Sequence, residues 1–169
     1  EHSIEFQAVF LKYLFPDADI SFVPILCGSF YQSVEEGVYP ILRPEVEDFV
    51  SALRKALEEE DRSVCLIAGV DFSHVGEQFG DSGPMSDAFV DDVRSSDADL
   101  LEAAGKRNAE AFFDVIVRDC DRHRVCGTSS IYTMLQVLNA SSGKLLKYDQ
   151  AIDRDADSLV SFASMAFYE

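Results

Sequence analysis

Residues Val64-Cys65-Leu66-Ile67-Ala68-Gly69-Val70 are apolar at both parities. A strand with one wet face alternates, so a run without alternation needs cover on both sides, as inside an α/β sheet. Upstream, Pro44 suits the first turn of a helix. Its apolar stripe would be Val46, Phe49, Val50, Leu53, Ala56 and Leu57, with Glu47, Asp48, Arg54, Lys55 and Glu58 opposite. Earlier still, Ile20–Leu26 reads as a strand closing at Cys27-Gly28, placed near an edge or bulge because Pro24 removes a ladder donor. Strand, helix and strand with short connections form a βαβ pattern and predict an α/β chain.

Ser3 caps an expected helix running to about Leu14, with Phe6, Val9, Phe10, Tyr13 and Leu14 at helical spacing. Gly76 to Pro84 reads as a glycine-rich loop. Helices are then expected over Met85–Arg94, Asp97–Ala104 and Ala109–Cys120, and from Cys126-Gly127-Thr128 through Leu138. Two strands follow, Lys144–Tyr148 and Ser158–Tyr168, the second apolar at both parities and therefore central. No linker divides the chain, so residues 1–169 are read as a single α/β domain.

Acidic residues outnumber basic ones 31 to 14, a net charge of −17. That field repels phosphate backbones and anionic headgroups, which excludes nucleic-acid partners. No apolar run reaches the ~18–20 residues of a membrane helix, so no membrane partner is expected. Thirteen Phe and six Tyr exclude disorder. The four cysteines do not suit a disulfide scaffold, and with no signal peptide read at the start a reducing cytoplasm is the expected location. The opening Glu1-His2-Ser3-Ile4-Glu5 lacks Met and starts mid-pattern, so the chain is expected to be part of a longer polypeptide.

Three places could carry chemistry. The apolar run of residues 64–70 leads into Asp71-Phe72-Ser73-His74-Val75-Gly76. Ligands of open α/β sheets bind beyond strand carboxyl ends, and Asp71 is near enough to orient the His74 imidazole as a base or metal ligand. The plainer alternative is a turn-capping Asp71 beside a rim histidine. His2, between Glu1 and Glu5, is either a metal-holding imidazole or an exposed residue of a capping box. In Cys120-Asp121-Arg122-His123-Arg124-Val125-Cys126-Gly127, structural zinc would need a second ligand pair. Cys126, just ahead of a helix start, has a thiol that the helix N-terminus would acidify, or else it is a small buried hydrophobe. Nucleotide cradles and the serine-hydrolase elbow are missing from the sequence.

Taken in order, Glu1-His2-Ser3-Ile4-Glu5, Val23-Pro24-Ile25-Leu26-Cys27-Gly28, Asp71-Phe72-Ser73-His74-Val75-Gly76 and Val125-Cys126-Gly127 resemble Memo-like proteins, also called AmmeMemoRadiSam system protein B. The resemblance spans nearly the whole chain. It implies a central mixed sheet flanked by helices, related to class III extradiol dioxygenases, and a cleft that holds iron or copper in full-length members. Carried over residue by residue, it assigns His74 and Asp71 as catalytic and Cys126 as a metal ligand. It also matches His2 to the family's opening histidine, placed here with the metal. Members carry an N-terminal portion with a P-H-A-G-like motif and further imidazole ligands. This chain is accordingly expected to be the C-terminal portion, binding iron or copper weakly or not at all alone. Thr128-Ser129-Ser130 after Cys126-Gly127, and Gly69-Val70 before Asp71, depart from the family pattern.

The resulting expectation is a metal-dependent oxidoreductase of dioxygenase-like fold, with Cys126 on the metal, His74 as acid or base and His2 lining the pocket. Its alternative is a non-catalytic module that binds a peptide or small molecule. Self-association at a truncated sheet edge, or pairing with a missing N-terminal half, is the expected assembly.

Overall fold

The computed structural model describes residues 2–168. In chain order the described residues form α1 (His2–Leu14), α2 (Tyr31–Glu36), α3 (Pro44–Glu59), β1 (His74–Gly76), α4 (Asp87–Gly105), α5 (Ala109–Arg118), α6 (Thr128–Val137), β2 (Ser142–Asp153) and β3 (Ser158–Tyr168). The expected α/β class stands. Local chemistry explains most boundaries. Pro44 occupies the first turn of α3, Ser86 accepts the Phe89 amide at the start of α4, and Asn108 accepts the Ala111 amide ahead of α5.

The sheet differs from the expected central mixed one. Its three strands are antiparallel in the order β1-β3-β2, so the C-terminal strand is central as its two-sided pattern requires. β2 and β3 are a long hairpin, and Asp153 accepts the amides of Asp155 and Ala156 to close its turn. At this same end of β3, on its other edge, Gly76 pairs with Ser158. Gly76 has φ +109°, and a Cβ there would stand 2.0 Å from the Asp157 carbonyl oxygen, so only glycine lets the strands meet.

The expected βαβ unit is not formed among the described residues. Residues 20–30 and 64–73 belong to no strand, and the apolar side chains of residues 20–26 lie open, Val23 at 83% and Leu26 at 73% exposure. A strand exists only where a neighbour answers its N–H and C=O groups. Apolar patterning calls for cover but does not supply the partner. α1 is similar. It forms with its predicted spacing, crosses Gly69 so closely that a Cβ would meet Gln7 Cγ at 2.9 Å, and leaves Phe6, Val9, Phe10 and Tyr13 exposed.

The core lies between α4, α5, α6 and the sheet. Leu100, Phe112, Phe113, Ile116, Ile131, Tyr132 and Leu135 are buried together, and Tyr148, Ala163, Met165 and Phe167 close it from the hairpin. Each buried large side chain contributes about 1.5–3 kcal/mol. A smaller cluster of Val75, Met85, Val90, Val93 and Leu159 packs β1 against α4. The two helices expected over residues 85–104 are one continuous helix, α4. Among the described residues no helix is long and apolar enough to cross a membrane.

Candidate metal centre

The segment 71–74 is held from two sides by main-chain hydrogen bonds. On one side the Phe72 amide donates to the Ser161 carbonyl at 2.9 Å and the Ser161 amide to the Ser73 carbonyl at 3.0 Å. On the other, the His74 amide donates to the His123 carbonyl (2.7 Å), Cys126 to Phe72 (3.2 Å) and Gly127 to Asp71 (3.1 Å). Residues 49 to 56 positions apart are thereby placed side by side. Gly127 is required for the approach, because a Cβ there would lie 2.6 Å from the Asp71 carbonyl oxygen.

This pairing gathers Asp71, His74 and Cys126, whose carboxylate oxygen, ring nitrogen and sulfur all lie within 4.8 Å of one another. The His74 Nδ1 lies 3.1 Å from the Phe72 carbonyl oxygen. A carbonyl only accepts, so Nδ1 carries the proton and Nε2 presents its lone pair. The expected partner of the imidazole was the Asp71 carboxylate; the Phe72 carbonyl takes that place. Phe79 meets the ring edge-on at a centroid distance of 5.2 Å.

The Cys126 sulfur lies 3.5 Å from the Asp71 carbonyl oxygen. Partial burial pushes its thiol pKa up, with the Asp71 and Asp121 charges acting in the same direction. This corrects the expectation of a thiol acidified by a helix terminus. α6 begins only at Thr128, and desolvation is the largest influence on the Cys126 thiol.

The turn ahead of Cys126 is tightly constrained. Cys120, Asp121 and Arg124 all have positive φ, at 55°, 52° and 51°. Such residues cost about 1–3 kcal/mol each and persist only where surroundings hold them. The Asp121 carboxylate accepts the Val125 amide at 2.8 Å, and Arg124 pairs with Asp81 at 2.6 Å. Burial raises the Asp121 pKa above the ordinary carboxylate value. His123 is buried, its Nε2 3.2 Å from Asp92, so the Cys120-His123-Cys126 spacing is not a ligand set.

His2 is not among the three gathered donors. It is on exposed α1, with Nδ1 2.9 Å from Glu5 and its ring stacked on Phe6. Glu1, the other carboxylate beside it in sequence, lies outside the described residues. An open groove of about 520 Å³ between α4 and the hairpin is lined by residues including Leu101, Lys106, Leu145, Tyr148 and Met165. None of the three gathered residues lines it.

The Memo-like protein family model matches residues 1–166. The chain belongs to the Memo-like family. A MEMO1 family protein of Aquifex aeolicus is 33% identical over 171 residues, covering 99% of this chain and 40% of the relative. One from Thermococcus onnurineus is 30% identical over 99% of this chain and 56% of the relative. One from Thermus thermophilus is 28% identical over 94% and 41%. This Memo-like chain thus spans about half the length of the curated relatives it matches. The matches run over nearly all of it and do not bear out its placement as a C-terminal portion.

The donor chemistry of the site suits a transition metal. Thiolate and imidazole are ligands of copper, iron and zinc, and a carboxylate completes a mixed set of three. Catalytic centres keep three protein donors and leave positions open, whereas closed structural sites use four.

Proposed function

We propose that this Memo-like chain binds one iron or copper ion through Cys126 Sγ, His74 Nε2 and an Asp71 oxygen, in a metal-dependent oxidoreductase site of dioxygenase-like type. The convergence of these three donors within 4.8 Å carries the reading. It supplies a third donor where the sequence offered one thiolate and one or two imidazoles. With three donors and an open side the ion is held more loosely than in a four-ligand structural site.

Once bound, the metal would supply electron transfer and a Lewis-acidic position for a small ligand. The chain's own residues do the rest. Phe72 holds the Nδ1 proton of His74 and so keeps Nε2 free to bind. Cys126 has to release its proton on binding, and its raised pKa makes that release, and hence affinity, depend on pH. A thiolate among the donors favours softer, redox-active ions over the oxygen-rich coordination of magnesium or calcium. Asp71 contributes negative charge that offsets the cation.

Anaerobic titration with Co(II), read from the thiolate-to-cobalt absorption, tests this. The expected result is one equivalent per chain, lost in Cys126→Ala and strongly weakened in His74→Ala. Binding of equal strength in Cys126→Ala contradicts it, as does no binding to the unaltered chain.

A further inference from the structure

Asp97 is fully buried in the middle of α4. Its oxygens are occupied by two hydroxyls, Ser73 Oγ donating at 2.7 Å and Tyr148 OH at 2.8 Å. A buried carboxylate is costly to desolvate, and an apolar residue of similar size often serves packing as well or better. Stability alone therefore does not account for a carboxylate here. What the carboxylate reaches is more telling. Ser73 is itself fully buried and lies between Phe72, which fixes the His74 Nδ1 proton, and His74. Its backbone is clamped on β3 through Ser161, whose hydroxyl accepts the Ser73 amide at 2.9 Å. The side-chain bond to Asp97 ties this segment to α4 by a hydrogen bond, beside the packing of Phe72 in the same core.

We propose that Asp97 is a positioning residue for the metal centre: through the Ser73 hydroxyl it fixes where Asp71 and His74 stand relative to Cys126. This rests on the metal-binding reading above. Tyr148 serves the same carboxylate from the hairpin side. Burial and the Asp97 charge push its phenol pKa well above the ordinary value, so it stays a proton donor throughout the neutral range. With both oxygens satisfied, Asp97 has one orientation, and Ser73 inherits it. Groups hydrogen-bonded directly to metal ligands change affinity by about 10–100-fold when removed; Asp97 acts one bond further out, through Ser73.

The test uses the 169-residue chain with Asp97→Asn, Ser73→Ala and, as a control from the same helix, Leu100→Ala. Two quantities are read: Co(II) affinity, and the His74 ring ¹⁵N resonances without metal. Asp97→Asn and Ser73→Ala are expected to weaken Co(II) binding about tenfold or more and to move the His74 resonances. Leu100→Ala, which opens a cavity in the core, lowers the melting temperature but leaves both readouts in place. Ser73→Ala deletes a single hydroxyl and carries the test if Asp97→Asn does not fold. The proposal is overturned if the two network variants leave affinity and resonances unchanged, or if Leu100→Ala moves them equally. Should the unaltered chain bind no Co(II), the metal reading fails by itself, and the His74 resonances alone decide the positioning claim.

Discussion

The guanidinium of Arg124 reaches the Asp81 carboxylate at 2.6 Å and also donates to the His74 carbonyl oxygen at 3.2 Å. One side chain therefore ties the glycine-rich loop, the strand that carries His74 and the turn that carries Cys126. Asp81 in turn accepts the Gly76 amide at 2.7 Å. The Arg124 guanidinium beside Asp81 holds its carboxyl below the ordinary value. A group whose folded pKa is depressed contributes stability above its unfolded pKa and loses it as pH falls through the folded one. Asp81→Asn should accordingly lower the melting temperature at neutral pH, and the difference from the unaltered chain should vanish as the pH falls below the carboxylate range. The pair is partly exposed, so the effect is about 1 kcal/mol or less. A difference that grows in acid contradicts this assignment.

Cys126 should react slowly. Its raised thiol pKa leaves less thiolate at neutral pH than a free cysteine has. Alkylation by iodoacetamide, followed residue by residue by mass spectrometry, should place its rate profile at higher pH than that of a small free thiol. Faster reaction than the free thiol at neutral pH means that burial does not govern it.

Gly127→Ala should damage the centre directly. The added methyl would sit 2.6 Å from the Asp71 carbonyl oxygen and 2.8 Å from Val70 Cγ2, so the two segments must part. A loss of about 1–3 kcal/mol in urea unfolding is expected, together with weaker Co(II) binding. Unchanged affinity would show that residues 71 and 127 need not touch.

Burial separates two kinds of apolar position. Phe112→Ala, in the helical core, should cost about 3–5 kcal/mol. Val23→Thr, at a site 83% exposed, should stay within about 0.5 kcal/mol in the same unfolding measurement. A large loss at Val23 would place residues 20–27 inside a packed structure.

Helices were legible where a stripe and a boundary agreed. α3 carries both Pro44 and a clear apolar face, and α5 runs from its Asn108 cap with Phe112 and Phe113 inward. The gap expected between helices ending at Arg94 and starting at Asp97 falls on Ser95-Ser96, whose side chains can compete with helical backbone. In the fold the Asp97 carboxylate is taken up by Ser73 and Tyr148, and α4 passes straight through. The strands expected at residues 20–26 and 64–70 show the opposite limit, since pairing depends on a neighbour that local patterning cannot specify. At the site, Asp71, His74 and Cys126 were legible as residue types in suggestive places. Their meeting depends on bonds such as Cys126 to Phe72 and Ser161 to Ser73, which link distant segments. Ser73, Asp81, Asp97 and Arg124 carried no local signal of their roles.

X-ray absorption of the copper- or iron-loaded chain addresses the ligand set most directly. One sulfur scatterer at about 2.3 Å with nitrogen and oxygen at about 2.0–2.2 Å is expected, the sulfur disappearing in Cys126→Ala. A shell of nitrogen and oxygen alone, identical in both proteins, would contradict the account.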